Sequence, residues 1–205
     1  RTSCTTARTA CTVVVVGAAG NVGRGILDAV VKPSSPRRPW TVVAIDPAIS
    51  SGAFGSSRSS ASGSNNACQV QVHRSTLEEV SEEAFDDWFN DSTHVEFIYT
   101  AEDGNRDNYA TRPVLGEEND ARFETFANRV ASHSKRRRHV RSDLNDKRQC
   151  LQIHISYIGG SWTRRQAMDG VVSDSSPAKM GGGSNPYEIA KTSAEANARR
   201  LAKNL

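Results

Sequence analysis

Metal-binding signatures are missing from this sequence. Its four cysteines (Cys4, Cys11, Cys68 and Cys150) are scattered, and no two form a C-x-x-C pair. The five histidines (His73, His94, His133, His139 and His154) form no ligand pattern either. No zinc site, and no metal of any kind, is expected from such spacing. Isolated cysteines read instead as reduced packing thiols of a cytosolic protein, not as a disulfide framework. No apolar run approaches the roughly 20 residues that a membrane-spanning helix needs, so no membrane partner is expected. No repeat recurs at a solenoid period. Neither sign of charge dominates, because 26 basic against 23 acidic residues leave only +3. Hydrophobic residues make up 37% of the 205, which suits one buried domain with long surface loops.

The opening "RTSCTTARTAC" has no acid and carries two arginines among hydroxyl residues. That composition suits a transit peptide, but the stretch is short and has no apolar h-region. Residues 1–11 are therefore read as a loose tail. A cytoplasmic location is expected, with organelle import as the alternative.

From residue 12 the chain alternates regularly between strand and helix patterns. "TVVVVG" (12–17) is a β-branched run of the kind found in buried parallel strands. "NVGRGILDAVV" carries Val22, Ile26, Leu27 and Val30 at helical spacing, and "KPSSPRRP" breaks that helix. "WTVVAIDP" is a second buried strand. Residues 50–66, rich in Ser, Gly and Asn, read as a flexible loop. "CQVQVH" is a third strand. "TLEEVSEEAFDDWFN" reads as one acidic helix with Leu77, Val80, Ala84, Phe85 and Trp88 inward. "HVEFIYTA" is a fourth strand, and "ENDARFETFANRVASH" a helix with Phe123, Phe126 and Val130 inward. A basic insertion at 134–148 precedes a fifth strand, "CLQIHISYI", and "NPYEIAKTSAEANARRLAKNL" ends the chain as a helix. Strands that alternate with helices imply βαβ units, hence an α/β fold of the Rossmann type, a doubly wound parallel sheet.

"GAAGNVG" comes straight off the first strand and opens the first helix, with glycines at 17, 20 and 23. Glycine permits a tight turn and a close backbone approach to a pyrophosphate. The helix N-terminus adds N–H donors and a partial positive charge. Strand, glycines and helix together make a dinucleotide loop, with Gly17, Gly20, Asn21, Val22 and Gly23 as its candidate cofactor contacts. An acid at the end of the second strand should grip the adenosine ribose. Asp46 stands there, and its charge favours NAD over NADP. Arg58, in the following loop, would soften that preference.

With the glycine loop, Asp46 and the Tyr187/Lys191 pair of "NPYEIAK", the chain resembles the extended short-chain dehydrogenases/reductases, the NAD-dependent epimerase/dehydratase family, from residue 12 onward. The resemblance implies that Thr100 and Ala101, at the end of the fourth strand, lie against the cofactor. It places Asn119 at the start of the family's fourth helix. Tyr187 would be the acid–base group; a phenol titrates near about 10, so it must be acidified to work. Lys191, one helical turn on, would stabilise the phenolate and hold the nicotinamide ribose. The third catalytic hydroxyl falls to Ser156 or Ser161, and the sequence leaves that choice open. The acid that the family places after the third strand is replaced by His73 and Arg74. Arg74 is read as a solvated loop residue rather than a base-stacking one.

Family members usually continue past this lysine into a substrate domain, whereas this chain ends at Leu205. The fold is accordingly expected to be cut short of that domain, as a fragment, as a chain completed from elsewhere, or as an incomplete enzyme. The expected activity is hydride transfer at a substrate carbinol or carbonyl, by an epimerase, dehydratase or dehydrogenase. The partner would be a small molecule, a nucleotide sugar being the family's commonest theme, and a homodimer is compatible with this. The first alternative is a dinucleotide-binding module without catalysis. The second is nucleic-acid binding through 135–141, where "SKRRRHVR" puts five basic residues in eight. No aromatics interleave them for base stacking, so a solvated insertion is preferred.

Overall fold

In the computed structural model, the described residues are 11–31, 40–50, 69–90, 94–102, 106–112, 114–143, 152–157 and 186–203. The chain divides into two compact units. The first comprises Arg1–Ala101 with Ser132–Ser156, and the second Glu102–Ala131 with Tyr157–Leu205.

The first unit is built on a five-stranded sheet. Its strands are β1 (Cys11–Val16), β2 (Trp40–Ile45), β3 (Gln69–His73), β4 (His94–Tyr99) and β5 (Gln152–Tyr157), in the order β3-β2-β1-β4-β5. β1 pairs in parallel with β2 and β4, and β2 with β3. β1 is central and buried along its whole length, which is why it reads as an unbroken β-branched run rather than an alternating one. On one face Val13, Val15, Val42, Ala44 and Ile98 pack with Leu27 of helix α1 (Asn21–Val31). On the other, Phe97 of β4 meets Phe85 and Phe89 of helix α2 (Glu82–Asn90), with ring centroids 6.1 and 5.8 Å apart. Helices α1 and α2 therefore supply apolar side chains to opposite faces of the sheet. This is the doubly wound Rossmann-type arrangement expected from the alternation of elements.

Three boundaries differ from the expectation. β1 begins at Cys11, inside the stretch read as a tail, because Cys11 pairs in register with Trp40 and His94 and is buried. The acidic helix begins at Glu82, not near Thr76. Ser81 caps it: its Oγ accepts the Ala84 N–H at 3.2 Å, and Glu82 and Glu83 sit in the positive first turn. Leu77 and Val80 are still buried, but from a separate turn closed by the Val80 N–H donating to the Leu77 carbonyl. Finally, helix α4 (Leu115–Asp143) runs ten residues into the stretch read as a basic insertion, 134–143. His133 and Ser134 are buried on it, and Arg136 reaches Glu82 on α2 at 3.1 Å. Acidic α2 thus gives part of the basic run a partner inside the domain. The rest of the 134–148 stretch, residues 1–10 and the flexible-loop assignment from 51 to 66 lie outside the described residues.

In the second unit, α3 (Arg106–Thr111) is a short helix that the sequence pattern does not announce. The first half of α4 packs against α5 (Pro186–Ala202). Proline suits the first helical position, since its fixed φ matches the helix and its missing N–H would have no intrahelical acceptor. Gly116 allows the close approach of α4 to α5, because a Cβ there would stand 2.7 Å from the Ala190 Cβ. Ser193 donates to Asp120 at 3.0 Å, and Arg200 to Glu124 at 3.2 Å, along the same contact. Among the described residues, no helix is long and apolar enough to cross a membrane.

Candidate functional site

The C-terminal ends of the parallel strands are level: Val16 pairs with Ile45 and with Tyr99, and Ile45 with His73. The next residues, Gly17, Asp46, Arg74 and Thr100, therefore follow along one edge of the sheet. After β1 the chain turns to β2, and after β3 it returns to the far side of β1 at β4. The reversal makes the gap beyond β1 and β4 a topological switch point, where open α/β sheets bind ligands.

The three glycines of the loop differ in what holds them. Gly17 has φ +83°, a left-handed conformation that other residues rarely adopt. A Cβ there would also lie 2.6 Å from the Ala101 amide nitrogen. Gly23 has ordinary dihedrals, but a Cβ on it would overlap the Gly17 carbonyl and keep α1 off the loop. Gly20 is exposed, and among the described residues the nearest atom to a Cβ there would be the Gly17 carbonyl oxygen at 3.4 Å, an ordinary contact. Among the described residues, the loop's own backbone therefore demands glycine at 17 and 23, whereas none of them crowds a Cβ at 20. Asn21 and Val22 open α1 and are both exposed. The first-turn N–H groups of a helix have no intrahelical acceptor, so those of Asn21, Val22 and Gly23 are suited to an anion.

Thr100 fastens the loop to β4. Its N–H and its Oγ1 both donate to the Val16 carbonyl at 2.8 Å, and Oγ1 also reaches the Gly17 carbonyl at 3.1 Å. Ala101 abuts Gly17. Asp46 is half-buried just past β2. One carboxylate oxygen accepts the Ala19 N–H at 3.0 Å and the other the Ala48 N–H at 2.8 Å. Two donors occupy two of the roughly four acceptor positions of a carboxylate, so the acid is oriented yet retains acceptor capacity. The structure thus brings Gly17, Ala19, Asp46, Thr100 and Ala101 together at one edge. Arg74 is exposed beyond β3, and Arg58 lies outside the described residues.

Tyr187 and Lys191 lie in the second unit, on the first turns of α5. Lys191 is only 7% exposed. It forms an ion pair with Glu102, the residue after Ala101 in the chain. Its Nζ stands 5.5 Å from the centroid of the Tyr187 ring, within cation–π range. Burial pushes its ammonium down from the usual 10.5 to about 8. Tyr187 is half-buried and meets Tyr109 of α3 edge-on, with centroids 5.3 Å apart. Asn119 is buried in the second turn of α4, not at the helix start, and its Nδ2 donates to the Tyr109 hydroxyl at 2.9 Å. Ser156 falls in β5, one residue before its end, and Ser161 lies outside the described residues. Glu102 and Tyr109 had no sequence signal, because no short motif flags a lone glutamate or tyrosine in a polar stretch. Among the described residues, no group of three or more His, Cys, Asp or Glu could hold a metal ion.

Among solved structures, UDP-glucose 4-epimerase from Thermotoga maritima, determined with UDP-glucose, matches over 94% of this chain and 51% of its own, with 16% identity and a TM-score of 0.49. Pal from Bacillus thuringiensis matches over 90% of this chain and 50% of its own, with 14% identity and a TM-score of 0.48. UDP-glucuronic acid 4-epimerase from Bacillus cereus, in complex with NAD, matches over 94% of this chain and 53% of its own, with 18% identity and a TM-score of 0.44. The chain spans about half the length of these structures. No curated protein is significantly similar to it in sequence. A family model described as FAD-NAD(P)-binding matches residues 14–157, from the middle of β1 to the end of β5. That segment holds the glycine loop, Asp46 and Thr100, and by it the chain belongs to the FAD-NAD(P)-binding family.

Proposed function

We propose that the chain binds NAD and belongs to an enzyme of the extended short-chain dehydrogenase/reductase type, an epimerase, dehydratase or dehydrogenase. Gly20 is the observation that carries the proposal. It is an exposed glycine whose Cβ no described residue would crowd, set between two that the loop's backbone demands, at the edge where a dinucleotide would lie. The first-turn amides of α1 would hold the pyrophosphate, and Asp46 the adenosine ribose hydroxyls. The Asp46 charge disfavours a 2′-phosphate, hence NAD over NADP. Thr100 and Ala101 would line the cofactor's path.

Bound there, NAD would supply a hydride acceptor. Tyr187 takes the hydroxyl proton of a substrate carbinol as its carbon loses hydride, and returns that proton in the reverse direction. Lys191 favours the phenolate by its charge and holds the nicotinamide ribose. Ser156 or Ser161 would donate to the reacting oxygen. A nucleotide sugar is the substrate class that the family resemblance favours. Tyr187→Phe should keep NAD affinity and lose turnover of nucleotide sugars. Wild-type rates in that variant would contradict the role of Tyr187. A dinucleotide-binding module without catalysis is the second reading, because the family match at 14–157 covers the glycine loop and Asp46 but neither Tyr187 nor Lys191. It predicts NAD binding with no hydride transfer in the wild type.

A further inference from the structure

We propose that Glu102 is a positioning residue for the catalytic pair, its carboxylate anchoring the Lys191 ammonium beside the Tyr187 ring. The inference rests on the acid–base roles proposed above for Tyr187 and Lys191. Nothing in the glycine loop or in the Tyr-Lys motif calls for a glutamate at this place. Yet its side chain is 13% exposed and that of Lys191 8%, so two opposite charges meet away from bulk water. Either charge alone would be costly in such surroundings, and the pair offsets part of that cost for both.

The consequence for chemistry lies in the lysine's charge. Burial draws the ammonium toward neutrality near pH 8. A carboxylate in contact works the other way and favours the charged form. Lys191 can assist a phenolate only while it is an ammonium, so Glu102 extends the range in which Tyr187 has its helper. A four-carbon stem is also flexible, and a fixed counter-ion restrains it on the Tyr187 face. Among the described residues, the titratable groups placed against this pair or on the elements beside it include Tyr187 on α5, Tyr109 on α3, and Asp120 on α4, which Ser193 binds.

The test is isotope-edited NMR of the Lys191 ε-carbon against pH, assigned with Lys191→Met, beside calorimetric titration with NAD. In Glu102→Gln the Lys191 midpoint should fall by about one pH unit or more, the loss of one adjacent opposite charge. NAD affinity should fall about tenfold, the worth of a displaced hydrogen bond to a charged group. Glu102→Asp should recover much of both. An unmoved midpoint, or unchanged NAD affinity in Glu102→Gln, overturns the proposal. Should that variant not fold, the wild type decides: the Glu102 carboxyl carbon must shift at the Lys191 midpoint, and no shift overturns it. Wild-type protein that binds no NAD would sink the functional proposal instead, whatever Lys191 does.

Discussion

At Gly17 a side chain meets both a positive φ and the backbone of Ala101; at Gly23 it meets the Gly17 carbonyl; at Gly20 it makes, among the described residues, only an ordinary contact. Substitution by alanine should separate these cases. Gly17→Ala should cost about 2–5 kcal/mol from strain and overlap, and Gly23→Ala about 1–3 kcal/mol from overlap alone. Gly20→Ala should stay within about 1 kcal/mol of wild type, the cost of losing a glycine N-cap. Urea unfolding of the three variants checks this, and equal losses would contradict it. Lys191 makes a second prediction at this scale. Its ammonium titrates near 8 when folded, against the usual 10.5. Between those values the unfolded chain binds more protons, so stability should rise with pH across that window. The penalty is complete below pH 8 and is relieved as pH climbs toward 10.5. Comparing wild type with Lys191→Met cancels the titrating groups that do not touch Lys191, and a carboxylate such as Glu102 ordinarily titrates below this window. The difference in unfolding free energy should move in favour of wild type from pH 8 upward, and a flat difference would contradict burial as the cause.

The elements show how far periodicity reads. β1 and β2 were legible because a central parallel strand is buried on both faces and must be continuously apolar. The second helix was legible in its aromatic face but not in its start. Leu77 and Val80 are buried along with Phe85, so their spacing continues the helical pattern across a turn that is not helix. What breaks the run is Ser81, whose hydroxyl takes the Ala84 N–H. Ser81→Ala should therefore cost about 1 kcal/mol, read from the denaturation midpoint, and no loss would mean the cap is idle. The basic run failed in the opposite direction. Charge suggested a solvated loop, yet α4 continues through it, because His133 is buried against Phe85 and Phe89 with its ring nitrogens at Asp86 and Glu82. Those partners come from a helix some fifty positions earlier in the chain, and local composition cannot reveal them.

For the molecule as a whole, the dinucleotide edge was the most legible part of the site. Strand, glycine spacing and Asp46 are all local features, and the parallel register sets them level. The surroundings of Tyr187 were less so. The motif named the tyrosine and the lysine, but the Glu102 carboxylate and the Tyr109 ring come from tertiary packing of segments without motifs of their own. Family membership rests on residues 14–157, while Tyr187 and Lys191 lie beyond them. Dinucleotide binding is therefore the central claim, and the catalytic pair depends on it. Calorimetric titration of the wild-type protein with NAD and with NADP tests it most directly. Saturable binding of NAD, tighter than that of NADP and weakened by Asp46→Ala, is the predicted result; heats of dilution alone for both cofactors would contradict the account.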